Sequence, residues 1–479
     1  MGGGGIYVPL GILLFQFSPK QSSGFSQACI FGAASAGLIL NSQNRHPVKN
    51  IREDAGIQQG ERPLADQKKI SQAEQDEYVA RGGKLYTRPI IHYDMALFMS
   101  PMQMSGAVLG VMIQQMLPNW LYLLFAAVVL SYTSYRTFKK YFASREKETA
   151  QKQQEAEENE KKASSVAIST DQNQEQDIQT HQSQEELSSS VEEKATAEEG
   201  ITKEDQEISG EDANKKALRI KYLEADMRQY PKDKVGALVA LWVGLFILTL
   251  FKGGKGVESL LGIDCDSPWY FVVIAFQFFW LFAFAAYFGW KLMADQKARI
   301  EVDYPYLGET DPVWDNASIR FYGAFCFMSG VVAALIGIGG GMVLGPMMLI
   351  MGIDPRVSTA TNSTMIVITS SSIAVMFVTS GMVPWSYAVF YFFVTFAGAF
   401  LGKTRIDNYV KRTGRASILI LILASIIAFA TIGSVVILLM RLADKNWCFD
   451  EFQSFCDVNE EENCPTDRFL AEIQNKFLQ

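Results

Sequence analysis

Long apolar stretches free of any charged side chain alternate with polar, charge-rich ones along the whole chain. The charge-free stretches run from Gln21 to Asn44, Met95 to Tyr135, Ser267 to Trp290, Phe321 to Ile353, Val357 to Gly402 and Ala416 to Met440. A shorter one runs from Val235 to Phe251. A bilayer core of about 30 Å takes roughly 20 apolar residues as a helix, so each stretch predicts at least one membrane-crossing helix. Two of the longest contain turn signals, "QQMLPN" and "SGMVP", which split them into helical hairpins. The pattern excludes a soluble protein with buried helices. The expected fold class is all-α: a polytopic helical membrane protein.

One apolar stretch is interrupted where a helix should be continuous. "LIGIGGGMVLGPMMLIMGIDPRVSTATNS", Leu335 to Ser363, carries Gly337, Gly339, Gly340 and Gly341 and then Pro346. Glycine and proline are the poorest helix residues. A break inside a span frees backbone amides at the positive end of the following half-helix, which makes an anion site without a charged side chain. The glycines are expected to adopt positive φ and to let the backbone approach a ligand. Pro346 is expected in the first turn of the next half-helix, or as its kink. Polar backbone at membrane depth needs protein or a watery cavity around it. After the "DP" turn, Ser358, Thr359, Thr361, Asn362, Ser363 and Thr364 crowd the next helix start with uncharged hydrogen-bonding groups. For each taken singly, close helix packing is the simpler reading.

The same order of parts occurs at the start of the chain. Setting Gly2, Gly3 and Gly4 on Gly339, Gly340 and Gly341 brings Pro9 onto Pro346. With one residue of slippage Ser18-Pro19 falls on Asp354-Pro355, and Ser26-Gln27 on Asn362-Ser363. Later "GAVLG" at Gly106 to Gly110 matches "GAFLG" at Gly398 to Gly402. A colinear series of this kind predicts two internal repeats with broken helices. Repeated spans with discontinuous helices near the midplane are how many secondary transporters build substrate sites. The candidate substrate-binding residues are therefore Gly3, Gly4, Pro9, Ser26 and Gln27 in the first half. In the second half they are Gly339, Gly340, Gly341, Pro346, Thr361, Asn362 and Ser363.

Charge changes the picture of the middle of the chain. The overall net charge is −8, but residues 151–214 hold 18 acids and 5 bases with no aromatic residue, leaving the remainder near +5. Such a segment cannot offset its ordering entropy by apolar burial, so a disordered or loosely helical linker is expected. Arg136, Lys139, Lys140 and Arg145 precede it and Lys215, Lys216, Arg219, Lys221 and Arg228 follow it, which puts it on the cytoplasmic side. The basic loop "KTRIDNYVKRTGR" after Gly402 falls on that same side only if Phe321 to Ile353 dips in and returns. The expected domains are a first membrane repeat (1–141), the acidic linker (142–231), an additional helical pair (232–293), a second membrane repeat (318–442) and an acidic cysteine-containing tail (443–479). The first repeat lacks the half-span that precedes the glycines in the second, so its first span reads as truncated at its N-terminus.

"GIGGGMVLGPMMLIMGIDPRVSTAT", "RHP…HYDMALFMSPMQMSGAVLGV" and "LPNWLYLLFAAVVLSYTSYRTFKK" resemble the sulfite exporter TauE/SafE family, in the flavour of its larger plant and protist members. The resemblance covers Gly2 to Phe138 and Lys232 to Leu442. It implies a membrane anion transporter; bacterial relatives are associated with export of sulfite or organosulfonates.

Other chemistries are poorly supported. "GIGGGM" places Met342 where a dinucleotide fingerprint needs a third glycine, and no H-E-x-x-H occurs. His46, His92 and His181 are scattered and read as loop residues. Cys29 and Cys326 read as apolar fillers of spans, while Cys448, Cys456 and Cys464 are too widely spaced for a usual zinc site. No enzyme activity, metal or cofactor is expected. Asp94 and Asp354 stand at span ends, where capping is the expected role. The expected partners are a small anionic substrate and the lipid bilayer, with self-association left open and no nucleic acid. The reading is a secondary-type transporter of small oxyanions working by alternating access; an anion channel and a non-transporting membrane sensor are the alternatives.

Overall fold

The computed structural model describes residues 4–46, 51–52, 72–175, 203–253, 259–265, 267–305, 312–413 and 417–444. In chain order the helices are α1 (Gly4–Phe15), α2 (Pro19–Ser42), α3 (Gln72–Ala80), α4 (Tyr93–Met116), α5 (Asn119–Glu175), α6 (Lys203–Asp226), α7 (Lys232–Lys252), α8 (Pro268–Glu301), α9 (Asn316–Ile336), α10 (Gly341–Ile350), α11 (Pro355–Thr379), α12 (Trp385–Thr413) and α13 (Ser417–Asp444). Two short strands, β1 (Ile51–Arg52) and β2 (Leu85–Tyr86), pair antiparallel with Ile51 opposite Tyr86. Among the described residues, seven helices are long and apolar enough to cross a membrane: α2, α4, α7, α8, α9, α11 and residues 385–405 of α12. The chain is an all-α polytopic membrane protein.

Local sequence sets the helix ends. Ser18 closes a capping box with Gln21, each side chain accepting from the other's backbone N–H, and Pro19 takes the first helical position of α2. Asp354 accepts from the Arg356 N–H ahead of α11, again with proline at its start. Asp354 is thus a cap, whereas Asp94 in the first turn of α4 pairs with Lys234 at 2.6 Å. The helix after "QQMLPN" runs without interruption from Asn119 to Glu175, well into the acidic stretch. Residues 176–202 and the cysteine tail from 445 lie outside the described residues.

Burial sorts the spans. In α4 and α11, 78% of the apolar window is buried, against none of it in α12, so α4 and α11 form the centre and α12 lies at the rim. Lipid is as apolar as leucine, so spans associate through close packing and internal hydrogen bonds rather than a hydrophobic drive. Small residues do this at the α4–α9 contact, the most extensive in the protein. A Cβ on Gly106 would lie 1.9 Å from the Phe327 carbonyl oxygen, and one on Gly330 would lie 2.0 Å from the Gln103 carbonyl oxygen. The α2–α12 contact repeats the device, with Gly32 against the Phe392 carbonyl.

Contacts at the helix ends fix which side each faces. The linker side holds Gln229, whose Nε2 donates to the Ser42 and Asn44 carbonyls at the end of α2. It also holds His92, whose N–H donates to Thr361 Oγ1 in the first turns of α11 at 2.9 Å. Lys403 donates to Asn41 at the same end of α2. Both α9 and α11 therefore start on the linker side, so the stretch between them dips in and returns. That places the basic loop after Gly402 on the linker side, in accord with the positive-inside rule. At the far side, Lys20 Nζ at the start of α2 donates to the Gln115 carbonyl near the end of α4, 3.0 Å away. Cys265, in the loop joining α7 to α8, is disulfide-bonded. A disulfide fits an oxidising compartment on the side opposite the linker.

Candidate functional site

The glycine stretch is the turning point of the α9–α10 dip. Helix α9 ends at Ile336, and Gly337 caps it in the left-handed conformation with φ 75° and ψ 18°. Gly339 also has positive φ, 73°, but Gly340 and Gly341 do not. This corrects the expectation that all three adopt it. Gly340 is a glycine for space: its Cβ would fall 1.5 Å from Gln103 Nε2 of α4. Gly341 is already the first residue of α10, and its Cβ would meet Ile366 at 2.2 Å and Asn362 Nδ2 at 3.0 Å. Pro346, the sixth residue of α10, accordingly lies in its second turn, not the first.

The carbonyl side of the break is saturated by the first half of the chain. Ser26 Oγ donates to the Gly337 carbonyl at 2.6 Å, and Gln27 Nε2 donates to the Ala333 carbonyl at 3.1 Å. The Tyr122 hydroxyl donates to the Ile336 carbonyl at 3.1 Å. These are the orphan acceptors that every helix C-terminus leaves, and burial makes them compete strongly for donors. The donors expected of Ser26 and Gln27 for an anion are thus committed to α9, a correction that follows from the unforeseen return of the chain.

The amide side is different. The N–H groups of Gly339 and Gly340 find no acceptor among the described residues. Asn362 Nδ2 donates to the Gly341 carbonyl at 3.1 Å, while its Oδ1 has no partner. Gln103 is 1% exposed, and both its Nε2 and Oε1 are unpartnered. Ser329 Oγ closes the group with a long bond, 3.4 Å, to the Gly340 carbonyl. Unmet buried polar groups cost about 1–3 kcal/mol each, so this cluster is expensive unless something is bound there. Gln103 lies ten residues into α4 from its linker-side end. At 1.5 Å rise per residue that is about 15 Å, half of a 30 Å core. Sequence reading missed Gln103. Its signal was an uncharged amide three and seven residues ahead of Gly106 and Gly110, on the α4 face that meets α9.

The other sequence-predicted residues lie apart. Thr361 is turned to His92, and Ser363 Oγ donates to the Thr359 carbonyl of its own helix. Side-chain hydroxyls in a span bond back to their own helix when no partner faces them. Gly3 lies outside the described residues; Gly4 opens α1 and Pro9 is its sixth residue, as Pro346 is of α10. Among the described residues no group of His, Cys, Asp or Glu could hold a metal.

A cavity of about 80 Å³ lies at the linker-side ends of α4, α7 and α8 rather than at the break, lined by Arg88, His92, Asp94, Lys234 and Asp295 among others. Beside it Arg299 holds Asp226 in a two-pronged pair at 2.5 and 3.1 Å, and the Tyr304 hydroxyl donates to the same carboxylate. Burial alone would raise the Asp226 pKa, but the Arg299 guanidinium outweighs it and holds the carboxyl below its ordinary value. Its contribution to stability is therefore present above the unfolded value of about 3.9 and is lost as pH falls through the lower folded one. Asp226→Asn should melt lower at neutral pH, by about 3 kcal/mol because Arg299 is left as an uncompensated buried charge. It should also lose less stability than wild type on acidification below the unfolded value. Thermal melts over that acid range check both; equal acid sensitivity in the two proteins counts against the pair.

A family model described as Sulfite exporter TauE/SafE matches residues 234–436. Sulfite exporter TauE/SafE family protein 3 of Arabidopsis thaliana is 25% identical over 438 residues, covering 90% of this chain and 73% of the relative. Family protein 5 of the same plant is 23% identical over 439 residues, covering 90% and 77%. Family protein 6 is 30% identical over 106 residues, 22% of this chain. No solved structure shows a significant match.

Proposed function

We propose that this chain is a member of the sulfite exporter TauE/SafE family, as its matches to that family model and to the plant relatives support, and that it is a secondary-type transporter of small oxyanions. The anion sits at the Gly339–Gly341 break and reaches either side by alternating access. One observation carries the reading: among the described residues, N–H groups without an acceptor, an unpartnered Gln103 amide and the Asn362 carboxamide meet near mid-membrane. The N-terminus of α10 adds roughly half a positive charge, which suits an anion without a cationic side chain. In the conformation seen, the Gln103 amide fills the space in front of Gly340, which corresponds to a closed site. The corner between α1 and α2 faces the side of Lys20 and Gln115, while the corner between α10 and α11 faces the linker. Two short helices entering from opposite sides are the arrangement that inverted repeats use for alternating access.

The test is uptake into proteoliposomes of labelled sulfite, competed by sulfate, sulfonates and carboxylates. Saturable, competed uptake is expected. Non-saturating flux would make the protein a channel, and binding without flux a sensor. Asn362→Ala should weaken apparent affinity roughly ten- to hundred-fold, the worth of a hydrogen bond at a charged partner. It should also lower the melting temperature slightly, because the Gly341 carbonyl loses its donor. A variant that melts early but keeps wild-type affinity would reduce Asn362 to a packing residue.

A further inference from the structure

The break carries acceptors as well as donors, and they restrict what can bind. This inference rests on the transporter reading above and narrows its substrate. Asn362 has no choice of orientation: its Nδ2 is committed to the Gly341 carbonyl, so Oδ1 is the atom left over. A flipped amide would set oxygen against oxygen. Gln103 contributes one donor, Nε2, and one acceptor, Oε1, from a side chain that is 1% exposed. The site therefore offers N–H groups from Gly339, Gly340 and Gln103, and two carboxamide oxygens that need a donor. No Lys, Arg or His side chain is hydrogen-bonded at the break among the described residues.

A fully ionised oxyanion presents only acceptors. Its oxygens would meet Asn362 Oδ1 lone pair to lone pair, and its two charges would have to shed their hydration against helix-end partial charge alone. A singly charged oxyanion that keeps one O–H answers both demands. Its ionised oxygens take the amides and its hydroxyl donates to a carboxamide oxygen. We infer that the break selects the monoprotonated, monovalent form of a small oxyanion, of the hydrogensulfite type, over dianions and over sulfonates that have no O–H. The substrate then carries its own proton, and the transport path needs no coupling carboxylate at mid-membrane.

Among the described residues, the ionisable groups nearest the break are few, and the two histidines, His46 and His92, stand at the linker-side helix ends. Tyr122 at the break is a hydroxyl donating to a carbonyl, and Cys29 of α2 and Cys326 of α9 are buried thiols. Lys20 of α2 donates to the Gln115 carbonyl at the far end of α4. Asp94, Asp315 and Asp354 stand at the starts of α4, α9 and α11, on the linker side, away from the break.

The experiment measures binding of sulfite, sulfate and methanesulfonate to the purified full chain, from mildly acid to mildly alkaline pH. Sulfite takes up a proton within this range; sulfate and methanesulfonate do not. Apparent sulfite affinity should fall about ten-fold per pH unit once the monoprotonated fraction becomes minor. Methanesulfonate, a monoanion with no O–H, should bind at least about ten-fold more weakly than sulfite at acid pH, the worth of one hydrogen bond at a charged group. Methanesulfonate binding as tightly as sulfite, sulfite binding tightest at alkaline pH, or pH-independent sulfate binding of equal strength would each overturn the inference while leaving an anion site in place. Binding of none of the three removes the transporter reading itself. Gln103→Met, which keeps volume and loses the amide, should shrink the sulfite preference over methanesulfonate; the wild-type pH series stands without it.

Discussion

Gly340→Leu should abolish anion flux while leaving the protein inserted. The side chain enters the space now taken by the Gln103 amide, with its Cβ 1.5 Å from Nε2. That neighbour is the end of a flexible side chain and not backbone, so it can swing aside and the helices need not separate. Gly340 has no positive φ to lose, so the backbone is not strained. What is lost is the approach to the break: an isobutyl group covers the Gly339 and Gly340 amides and displaces the one side-chain donor beside them. Two charge-assisted hydrogen bonds at about 1.5–3 kcal/mol each amount to more than a hundred-fold in affinity. Flux and melting temperature measured on the same preparation separate a blocked site from an unfolded one. Normal flux with a lowered melting temperature would reduce the glycine to packing.

The second large effect falls on folding and is asymmetric between two copies of one motif. Gly106 and Gly110 of α4 press on α9 backbone, with a Cβ on Gly110 lying 2.5 Å from the Val331 carbonyl oxygen. Gly398 and Gly402 of α12 have the same spacing and nothing within 4 Å. Gly106→Leu must push two backbones apart along the largest helix contact, and should leave no folded protein in detergent. Overpacking against backbone belongs among the losses of more than about 4 kcal/mol. Gly398→Leu should stay within about 0.5 kcal/mol of wild type, as exposed substitutions do. Size-exclusion profiles and melts of the two variants decide. Equal behaviour would contradict the packing described for α4 and α9.

That asymmetry marks the limit of what the sequence conveyed. Charge-free runs announced the spans because the bilayer imposes one length on all of them, and the α7–α8 pair was placed within a few residues except that α8 continues to Glu301. "GAVLG" and "GAFLG" read alike, yet one is a backbone contact and the other faces outward, because only the fold decides which neighbour arrives. The glycine break was legible because four glycines and a proline within ten residues disfavour a continuous helix. The direction of the chain after it was not, since charge counts allowed either a crossing or a return. With the return undecided, Ser26 and Gln27 read as ligand donors, whereas they serve the carbonyls of α9. Gln103 stayed hidden because a single amide in a span has no periodic signature. It becomes conspicuous only when both of its polar atoms are seen without partners.

The central claim is that the break is an anion site on a transport path. Initial rates of labelled sulfite entry into proteoliposomes, for wild type and Gly340→Leu reconstituted at matched density and orientation, test it most directly. The account predicts saturable entry for wild type, faster on the acid side, and background entry for a variant whose melting temperature is close to wild type. Equal saturable rates in both proteins would contradict it.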